Sequence, residues 1–361
     1  MAERCDIVIP VWNQPVVTRE CVDSIVKHTG YPYRLVIIDN GSAPETASYL
    51  EGLKRRSHLD LLLIRNGRNA WFVKAANQGM AMSDAPYVCL MNNDTVATEW
   101  WLDEMVSVMR ARPDIGVINP SSNTSGQFPG GMTIDDYALS LKALRGQVQE
   151  LYTCRGFCML VRRAVIDRVG LLDEAYSVGY FEENDYCRRA LKAGFASARA
   201  KGAYVYHKES VSFSALGDKD EIFKGNEKIF LGRWGRSVRV GFLLNGELPA
   251  GRVDDIAAGV ARSGHQITVF TKTGLEWPVG VDHFDIRRVG VSRIFFLPVS
   301  VYKIMKRRKK KPVEVLITDD PAVGALLRAV GPLHGADVLL RPSKDEVLEL
   351  LERKSKQRIP A

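Results

Sequence analysis

The stretches CDIVIPVW (Cys5–Trp12), VVTRECVDSIVKHTG (Val16–Gly30) and RLVIIDNGS (Arg34–Ser42) follow one another at the start of the chain. The first and third are short apolar runs that end in turn-forming residues, a pattern typical of buried strands. The middle stretch has apolar residues at helical spacing and a terminal glycine, so it predicts a helix. A strand, a helix and a strand in this order require a crossover connection, which predicts a parallel pair of strands.

The same alternation continues through the first two thirds of the chain. The runs LDLLLIRNG (Leu59–Gly67) and PYVCLMNND (Pro86–Asp94) predict two more strands. A strand followed by a helix is predicted for Cys154–Gly170, an amphipathic helix for Tyr180–Gly194, and a short strand for Ala203–Ser210. The predicted fold class is therefore α/β with a mostly parallel sheet.

The pattern restarts near residue 237, which predicts a second and smaller α/β domain. Val238–Thr271 is consistent with a strand, a helix and a strand, and Val313–Asp320 and Ala336–Pro342 with two further strands. A chain of 361 residues is long enough for two domains. We therefore predict one domain over residues 1–236 and another over residues 237–361.

Composition places the chain among ordinary globular proteins, with 46% hydrophobic and 25% charged residues. All six cysteines lie within the first 187 residues, without paired zinc-site spacing and without a secretory signal before them. This favours reduced, structural thiols in a cytoplasmic protein. No uncharged apolar run is long enough for a membrane-spanning helix.

The net charge of +8 is concentrated in the second predicted domain, where 21 Lys and Arg face 14 Asp and Glu. Its main source is the basic run KIMKRRKKKP (Lys303–Pro312). Such a run is either a solvated face or a patch that contacts anionic lipid headgroups, at the inner face of a membrane, or another polyanion. Nucleic acid is not an expected partner, because no nucleic-acid-binding signature accompanies the run.

Polar clusters follow three of the predicted parallel strands, at Pro10–Asn13, Asp39–Ser42 and Asn92–Thr95. Ligands of open parallel sheets bind at the carboxyl ends of the strands. The stretch LMNNDTV (Leu90–Val96), with its single acid Asp94, favours a simple turn when taken alone. The two neighbouring clusters favour a ligand-binding role for that turn.

Together the motifs VIPVWN, VIIDNGS, LMNNDTV and FEENDYCRRALKAG, followed by His207, resemble glycosyltransferase family 2. These are inverting transferases of the GT-A fold, and the resemblance is to the rhamnosyltransferase-like branch that builds bacterial cell-surface polysaccharides. It covers about residues 6–213. It implies sugar transfer from a nucleotide diphosphate sugar, a UDP- or dTDP-sugar, to a hydroxyl of a glycan or lipid-linked acceptor.

The resemblance also implies a divalent metal ion, Mn²⁺ or Mg²⁺, which neutralises the leaving diphosphate. It assigns Asp94 to this ion as the last residue of a DxD-like element, which here is Asn92-Asn93-Asp94. His207 is the second implied metal ligand. The implied catalytic base is Glu183, the last acid of the family's ED pair, although a shift by one residue would give that role to Glu182.

The donor-binding residues implied by the resemblance lie mainly at the three polar clusters. One alternative is a hairpin turn at Asp39-Asn40-Gly41, because Asp and Asn before Gly favour positive φ angles. The implied set is Pro10, Trp12, Asn13, Asp39, Arg68, Asn77, Asn92, Asn93 and Gly156.

Two other functional classes compete with a transferase. A glycoside hydrolase also uses two carboxylates, but it needs neither a nucleotide site nor a metal site. A catalytically weak scaffold that binds carbohydrate or nucleotide sugar would explain why only one acid remains in the DxD-like element. The second domain resembles the opening Rossmann-like half of GT-B glycosyltransferases, and we predict an accessory role, with packing or dimerisation as the alternative.

Overall fold

The computed structural model describes residues 3–176, 178–209, 219–274, 277–294, 296–305 and 312–357. The chain divides into two compact units, the first made of Met1–Gln149 with Thr153–Ile229 and the second of Glu150–Tyr152 with Phe230–Ala361. The predicted boundary after residue 236 stays a prediction. Most of the basic run at 303–312 lies outside the described residues, so its predicted role is not addressed by the fold.

From Cys5 to Trp234 the described chain forms nine strands and eight helices. The strands are β1 (Cys5–Val11), β2 (Tyr33–Asp39), β3 (Leu61–Arg65), β4 (Tyr87–Met91), β5 (Thr95–Ala97), β6 (Ile115–Ser121), β7 (Val148–Leu151), β8 (Cys158–Arg162) and β9 (Ala196–His207). The helices are α1 (Pro15–His28), α2 (Pro44–Leu53), α3 (Trp71–Ala81), α4 (Trp101–Ala111), α5 (Ile134–Ser140), α6 (Arg163–Val169), α7 (Glu182–Lys192) and α8 (Lys219–Trp234).

The first sheet has the strand order β3-β2-β1-β4-β8-β6-β9-β5, and β7 pairs with β9. Strands β3, β2, β1 and β4 are parallel, with Val11 opposite Asp39 and Val8 opposite Leu90. Strand β8 is antiparallel to both of its neighbours, and β5 is antiparallel to β9. The predicted α/β class with a mostly parallel sheet is confirmed, and the ends of β1, β2 and β4 lie at one edge of the sheet.

Burial explains why the middle residues of the central strands form continuous apolar runs. Ile7, Val8 and Ile9 of β1 have no exposed surface, and neighbouring residues of β2 and β4 are similarly buried. A parallel strand covered on both faces needs apolar side chains on both. All six cysteines are buried and unpaired, in agreement with their predicted role as structural thiols.

The second unit contains a sheet of five parallel strands in the order β12-β11-β10-β13-β14. Apolar clusters on two sides of this sheet form its cores. None of the helices in the described ranges is both long and apolar enough to cross a membrane. The elements are β10 (Arg239–Leu243), α9 (Ala250–Arg262), β11 (Gln266–Lys272), β12 (Ile286–Val291), α10 (Phe296–Met305), β13 (Val315–Thr318), α11 (Pro321–Ala329), α12 (Gly331–His334), β14 (Asp337–Leu340) and α13 (Lys344–Ser355).

The strand order of the second sheet reverses between β10 and β13, where doubly wound sheets leave a crevice. The fully buried carboxylate of Asp319 lies at the end of β13 on this side. It accepts hydrogen bonds from the backbone N–H groups of Asn245 at 2.7 Å, Gly246 at 3.0 Å and Glu247 at 2.8 Å. The loop after β10 is therefore wrapped around an acidic side chain of the protein.

Candidate active site

Asp94 and His207, the two predicted metal ligands, meet although 113 residues separate them in the sequence. The pairing of β5 with β9 places Thr95 opposite His207, so Asp94 lies beside the end of β9. The Oδ1 atom of Asp94 is 3.1 Å from the Nε2 atom of His207. Only 8% of the Asp94 side chain and 13% of the His207 side chain are exposed. This arrangement leaves a carboxylate and an imidazole side by side at the strand ends.

The chemistry of this pair fits a divalent ion held together with a further ligand. Carboxylate oxygen and imidazole nitrogen are both acceptable ligands of Mn²⁺. The Asn92 amide, 3.4 Å from His207 Nε2 through its Nδ2 atom, would offer its oxygen after a rotation of the amide. Among the described residues, no group of three or more His, Cys, Asp and Glu could hold an ion. Asp94 and His207 are therefore two such side chains side by side, without a third in the described part of the chain.

The two predicted base residues open helix α7 on a strained turn. Tyr180 and Phe181, just before the helix, both have a φ of 73°, a left-handed conformation that is uncommon for bulky residues. The buried Asn226 side chain stabilises this turn by donating to the backbone oxygens of Tyr176, Gly179 and Tyr180 at 2.7–3.2 Å. Strain of this kind is found where the surroundings fix a functional geometry.

Glu182 and Glu183 form an acidic pair whose Oε2 atoms are buried without a hydrogen-bond partner among the described residues. Burial raises the pKa of Glu182 well above its ordinary value, and the charge of Glu183 raises it further. Burial also raises the pKa of Glu183, against the lowering effects of backbone hydrogen bonds and of the Arg155 charge. Since adjacent carboxylates resist double ionisation, this pair favours one proton shared between two acids.

The three-residue segment Arg155–Phe157 connects the acidic pair to the Asp94–His207 pair. The Phe157 ring stacks on the His207 ring, with centroids 5.3 Å apart. A Cβ atom at Gly156 would lie 3.7 Å from Glu182 Oε1, and the charge of Arg155 acts on Glu183. One short peptide therefore contacts both predicted centres.

Residues 6–170 match the family model described as "Glycosyl transferase family 2". This part of the chain is a family 2 glycosyltransferase domain. The match confirms the predicted family and, with the mostly parallel sheet, the predicted GT-A fold class of the first unit.

The curated relatives of the chain are distant in sequence. The chain is 28% identical over 231 residues to an uncharacterized protein, y4gI, of Sinorhizobium fredii, covering 57% of this chain and 24% of that protein. It is 20% identical over 148 residues to the glycosyltransferase GlyG of Streptococcus pneumoniae, covering 40% of this chain and 49% of that protein. It is 22% identical over 210 residues to the low-salt glycan biosynthesis hexosyltransferase Agl10 of Haloferax volcanii, covering 54% of this chain and 66% of that protein. The chain thus spans between a quarter and two thirds of these relatives.

Two solved structures are similar to the chain at low identity. TarS 1-349 of S. aureus, in complex with UDP-GlcNAc, gives a TM-score of 0.49 at 16% identity, covering 63% of this chain and 66% of that one. The mannosyltransferase PcManGT of Pyrobaculum calidifontis, in complex with GDP-Man and Mn²⁺, gives a TM-score of 0.44 at 14% identity, covering 58% of this chain and 57% of that one.

In the family 2 domain, Asn13 and Asp39 hold one turn at the ends of β1 and β2. The Asp39 Oδ1 atom accepts from the backbone N–H of Ser42 at 2.9 Å, and Asn13 donates its own backbone N–H to the Ser42 hydroxyl at 2.9 Å. The turn leads into α2 and β2 is parallel to β3, so the alternative of a hairpin at residues 39–41 is wrong.

Gly41 brings the predicted residue Arg68 close to the end of β2. Gly41 has a φ of 75°, and a Cβ atom there would lie 2.7 Å from the backbone of Arg68. Only glycine fits such an approach without strain. Pro10 and Trp12 are partly exposed at the end of β1, and Arg68 is exposed. Their predicted contacts with the nucleotide stay predictions.

Two other predicted donor-binding residues, Asn77 and Asn93, form hydrogen bonds with residues outside the predicted set. The amide of Asn77 donates to the backbone oxygen of Leu172 at 2.9 Å and accepts its N–H at 2.9 Å. The amide of Asn93 donates to the hydroxyl of Thr18 at 2.9 Å. Both side chains are buried, and their predicted role in donor binding stays a prediction.

Several polar residues of the site were missed by sequence reasoning. Asn40, at the end of β2, accepts from the Asn66 side chain and the Ala70 backbone and donates to Asn69 and Trp71. Thr124 contacts His207 through its hydroxyl. Their only sequence signal is membership of turn-rich segments, which does not distinguish a binding residue from a turn residue.

We expect Glu182→Gln to stabilise the protein at pH 8 and not at pH 4.5. A raised pKa means that the ionised carboxylate is disfavoured in the folded state, so stability is lost as the pH rises through that pKa. Replacing the acid by a neutral amide removes this cost, so Tm should rise at pH 8 and stay unchanged at pH 4.5. Calorimetry at both pH values tests this, with the exposed Glu99→Gln as control. An equal change at both pH values would contradict the prediction.

Proposed function

We propose that the protein transfers a sugar, with inversion, from a nucleotide diphosphate sugar to a hydroxyl acceptor in a metal-dependent reaction. The observation that carries this proposal is the segment Arg155–Phe157, which contacts the Asp94–His207 pair at one end and the acidic pair at the other. A transferase needs a site for the leaving diphosphate and a base for the acceptor at neighbouring positions.

On the donor side, Asp94 and His207 would hold Mn²⁺ or Mg²⁺, with Asn92 near enough to assist through its amide. When bound, the ion supplies neutralisation of the charge that develops on the leaving diphosphate. Asn13, Asp39 and Arg68 surround the strand ends where the nucleotide of a UDP- or dTDP-sugar would lie. Support comes from TarS, whose complex holds UDP-GlcNAc, and from PcManGT, whose complex holds GDP-Man and Mn²⁺.

On the acceptor side, Glu183 would accept the proton of the attacking hydroxyl. Its carboxylate has a raised pKa, which makes it a stronger base once ionised, and the charge of Arg155 favours the ionised form. Glu182 would remain the protonated partner, because its burial and the charge of Glu183 both disfavour ionisation. Attack from the face opposite the leaving group gives inversion at the anomeric carbon.

A second candidate function is a weak or inactive scaffold that binds nucleotide sugar. The observation that favours it is the sequence Asn92-Asn93-Asp94, in which a single acid stands at the metal site. The acidic pair opposes it, because carboxylate oxygens that are buried without a hydrogen-bond partner are costly for a protein that performs no chemistry. We therefore place the transferase first, with a glycan or lipid-linked acceptor in bacterial cell-surface polysaccharide assembly.

A donor screen tests the proposal. Purified protein is incubated with UDP-, dTDP- and GDP-sugars and an acceptor mixture, and nucleotide release is measured with Mn²⁺, with Mg²⁺ and with EDTA. We expect nucleotide release with at least one donor, and we expect EDTA to abolish this release. Binding of donor without release in any acceptor mixture would support the scaffold instead, and release of free sugar independent of nucleotide would support a hydrolase.

We further propose that the protein works in the cytoplasm, in peripheral contact with an anionic membrane through its basic run. Neutralising Lys309, Lys310 and Lys311 should weaken binding to anionic liposomes by roughly 100-fold, at about 1 kcal/mol for each lysine. Liposome sedimentation measures this, with neutral vesicles as reference. The matched control neutralises the exposed Lys54, Lys224 and Lys356. Equal binding by both triple variants would contradict the proposed membrane contact.

A further inference from the structure

We propose that Thr124 is a positioning residue for His207 and thereby sets the affinity of the site for its metal ion. This inference rests on the proposed function, since it concerns the same metal site. The hydroxyl of Thr124 is 3.2 Å from Nδ1 of His207, whereas Nε2 on the other side of the ring is 3.1 Å from Asp94. The imidazole is thus held at both of its nitrogen atoms.

The His207 backbone is fixed by the residue that precedes Thr124. The Asn123 amide accepts from the backbone N–H of His207 at 2.9 Å and donates to its carbonyl oxygen at 2.7 Å. These two bonds replace those that a neighbouring strand would make, at the point where β9 ends. Asn123 therefore keeps residue 207 in position while Thr124 contacts its side chain.

Thr124 itself lies on a short and well-bonded 3₁₀ turn, Asn123–Ser125, directly after β6. The backbone N–H groups of Ser125 and Gln127 donate to the oxygen of Ser122 at 2.9 and 3.1 Å. The Tyr204 hydroxyl, from β9, donates to the oxygen of Gln127 at 3.0 Å. The turn is thus bonded to the strand that carries His207, so the position of the Thr124 hydroxyl relative to the ring is determined by the fold.

Hydrogen-bond chemistry explains why a hydroxyl is suited to this place. A neutral imidazole carries one proton, and a metal ion on Nε2 requires that proton to be on Nδ1. Thr124 would accept from that N–H when an ion is bound. Without an ion, Nε2–H can donate to Asp94, and the Thr124 hydroxyl can then donate to Nδ1. A hydroxyl serves both arrangements, whereas an apolar side chain serves neither. Partners of this kind orient metal-binding histidines, and their removal typically weakens metal binding 10–100-fold.

The test compares Thr124→Val, which has nearly the same shape without the hydroxyl, with Thr124→Ser, which keeps the hydroxyl. Mn²⁺ binding is measured by electron paramagnetic resonance, with Mn²⁺ alone and with Mn²⁺ plus UDP or dTDP. We expect Thr124→Val to raise the Kd for Mn²⁺ by about 10–100-fold and Thr124→Ser to restore binding close to that of the wild type.

A second readout separates positioning from a merely structural role. Electron spin echo modulation reports an imidazole nitrogen bound to Mn²⁺, and we expect this signal in the wild type, a weaker one in Thr124→Val, and none in His207→Ala. The metal-free Tm of Thr124→Val should stay close to that of the wild type. If Thr124→Val keeps the wild-type affinity and nitrogen signal, this inference is overturned and the proposed function is not affected. A wild-type protein that holds no Mn²⁺ with any nucleotide would overturn it together with the metal dependence of the proposed function.

Discussion

Glu183→Gln is expected to lower kcat for sugar transfer by about 100- to 10,000-fold, while the Kd for the donor nucleotide stays within about 2-fold of the wild type. Glutamine keeps the shape of the side chain and its burial at the start of α7 but cannot accept a proton. General-base catalysis is lost when the proton acceptor is removed, whereas contacts with the donor are not. Steady-state kinetics and calorimetric titration with UDP or dTDP measure the two quantities separately.

Glu182→Gln is the matched control, because it makes the same substitution at the adjacent acid of the pair. We expect it to retain most of the activity and to leave the acidic limb of the pH–rate profile nearly unchanged, since Glu182 is proposed to be the neutral partner of the pair and glutamine is neutral as well. If Glu182→Gln is inactive and Glu183→Gln is active, the two roles are exchanged. If both variants keep full activity, the acidic pair is not the base.

Asp94→Ala is expected to weaken Mn²⁺ binding in the presence of the nucleotide by at least about 100-fold and to lower kcat/KM to a similar degree. Removing one of only a few metal ligands usually has larger effects than removing a residue that orients a ligand, which typically weakens binding 10–100-fold. Here Asp94 is the single carboxylate of the pair with His207, and the Asn92 amide beside it carries no charge to replace it.

The measurement for Asp94→Ala is the same resonance titration with Mn²⁺ and nucleotide, together with nucleotide release at saturating Mn²⁺. Asp60→Ala, which removes an exposed carboxylate, serves as the control. Unlike Glu183→Gln, the Asp94 variant should lose donor binding as well as turnover, because the diphosphate and the ion bind together. Wild-type Mn²⁺ affinity in Asp94→Ala would show that the ion, if present, binds elsewhere.

The parallel part of the first sheet was predictable because burial leaves a clear mark on sequence. Strands β1, β2 and β4 are covered on both faces, so their central residues are apolar without interruption, and the polar residues after them mark their ends. The direction of β8 was not predictable, because the run CMLV has the same pattern in either orientation. Strand β9 was predicted only from residue 203, since the small and charged residues ASARAKG (residues 196–202) carry no strand pattern.

The sequence led to predictions for the residues with chemical roles at the candidate site, but not for the residues that hold them in place. The types of residue at Asp94, Glu183 and His207 follow from the reaction that the resemblance implied. The contact of Thr124 with His207 and that of Asn77 with Leu172 span 83 and 95 residues, and no local pattern encodes them. Such contacts arise only when β6 and β9, or α3 and the segment after α6, pack in three dimensions. Residues that hold a site in place are therefore harder to find from one sequence than residues that perform chemistry.

Asp319 determines what the crevice of the second sheet can accept. In doubly wound domains the backbone N–H groups of such a crevice are the natural counterpart of a ligand's phosphate. Here Asn245, Gly246 and Glu247 already donate to a carboxylate that belongs to the protein. A phosphate would have to displace that anion and leave it unsolvated, which electrostatics opposes. At this position the carboxylate of Asp319 therefore already binds the backbone N–H groups that a phosphate would need.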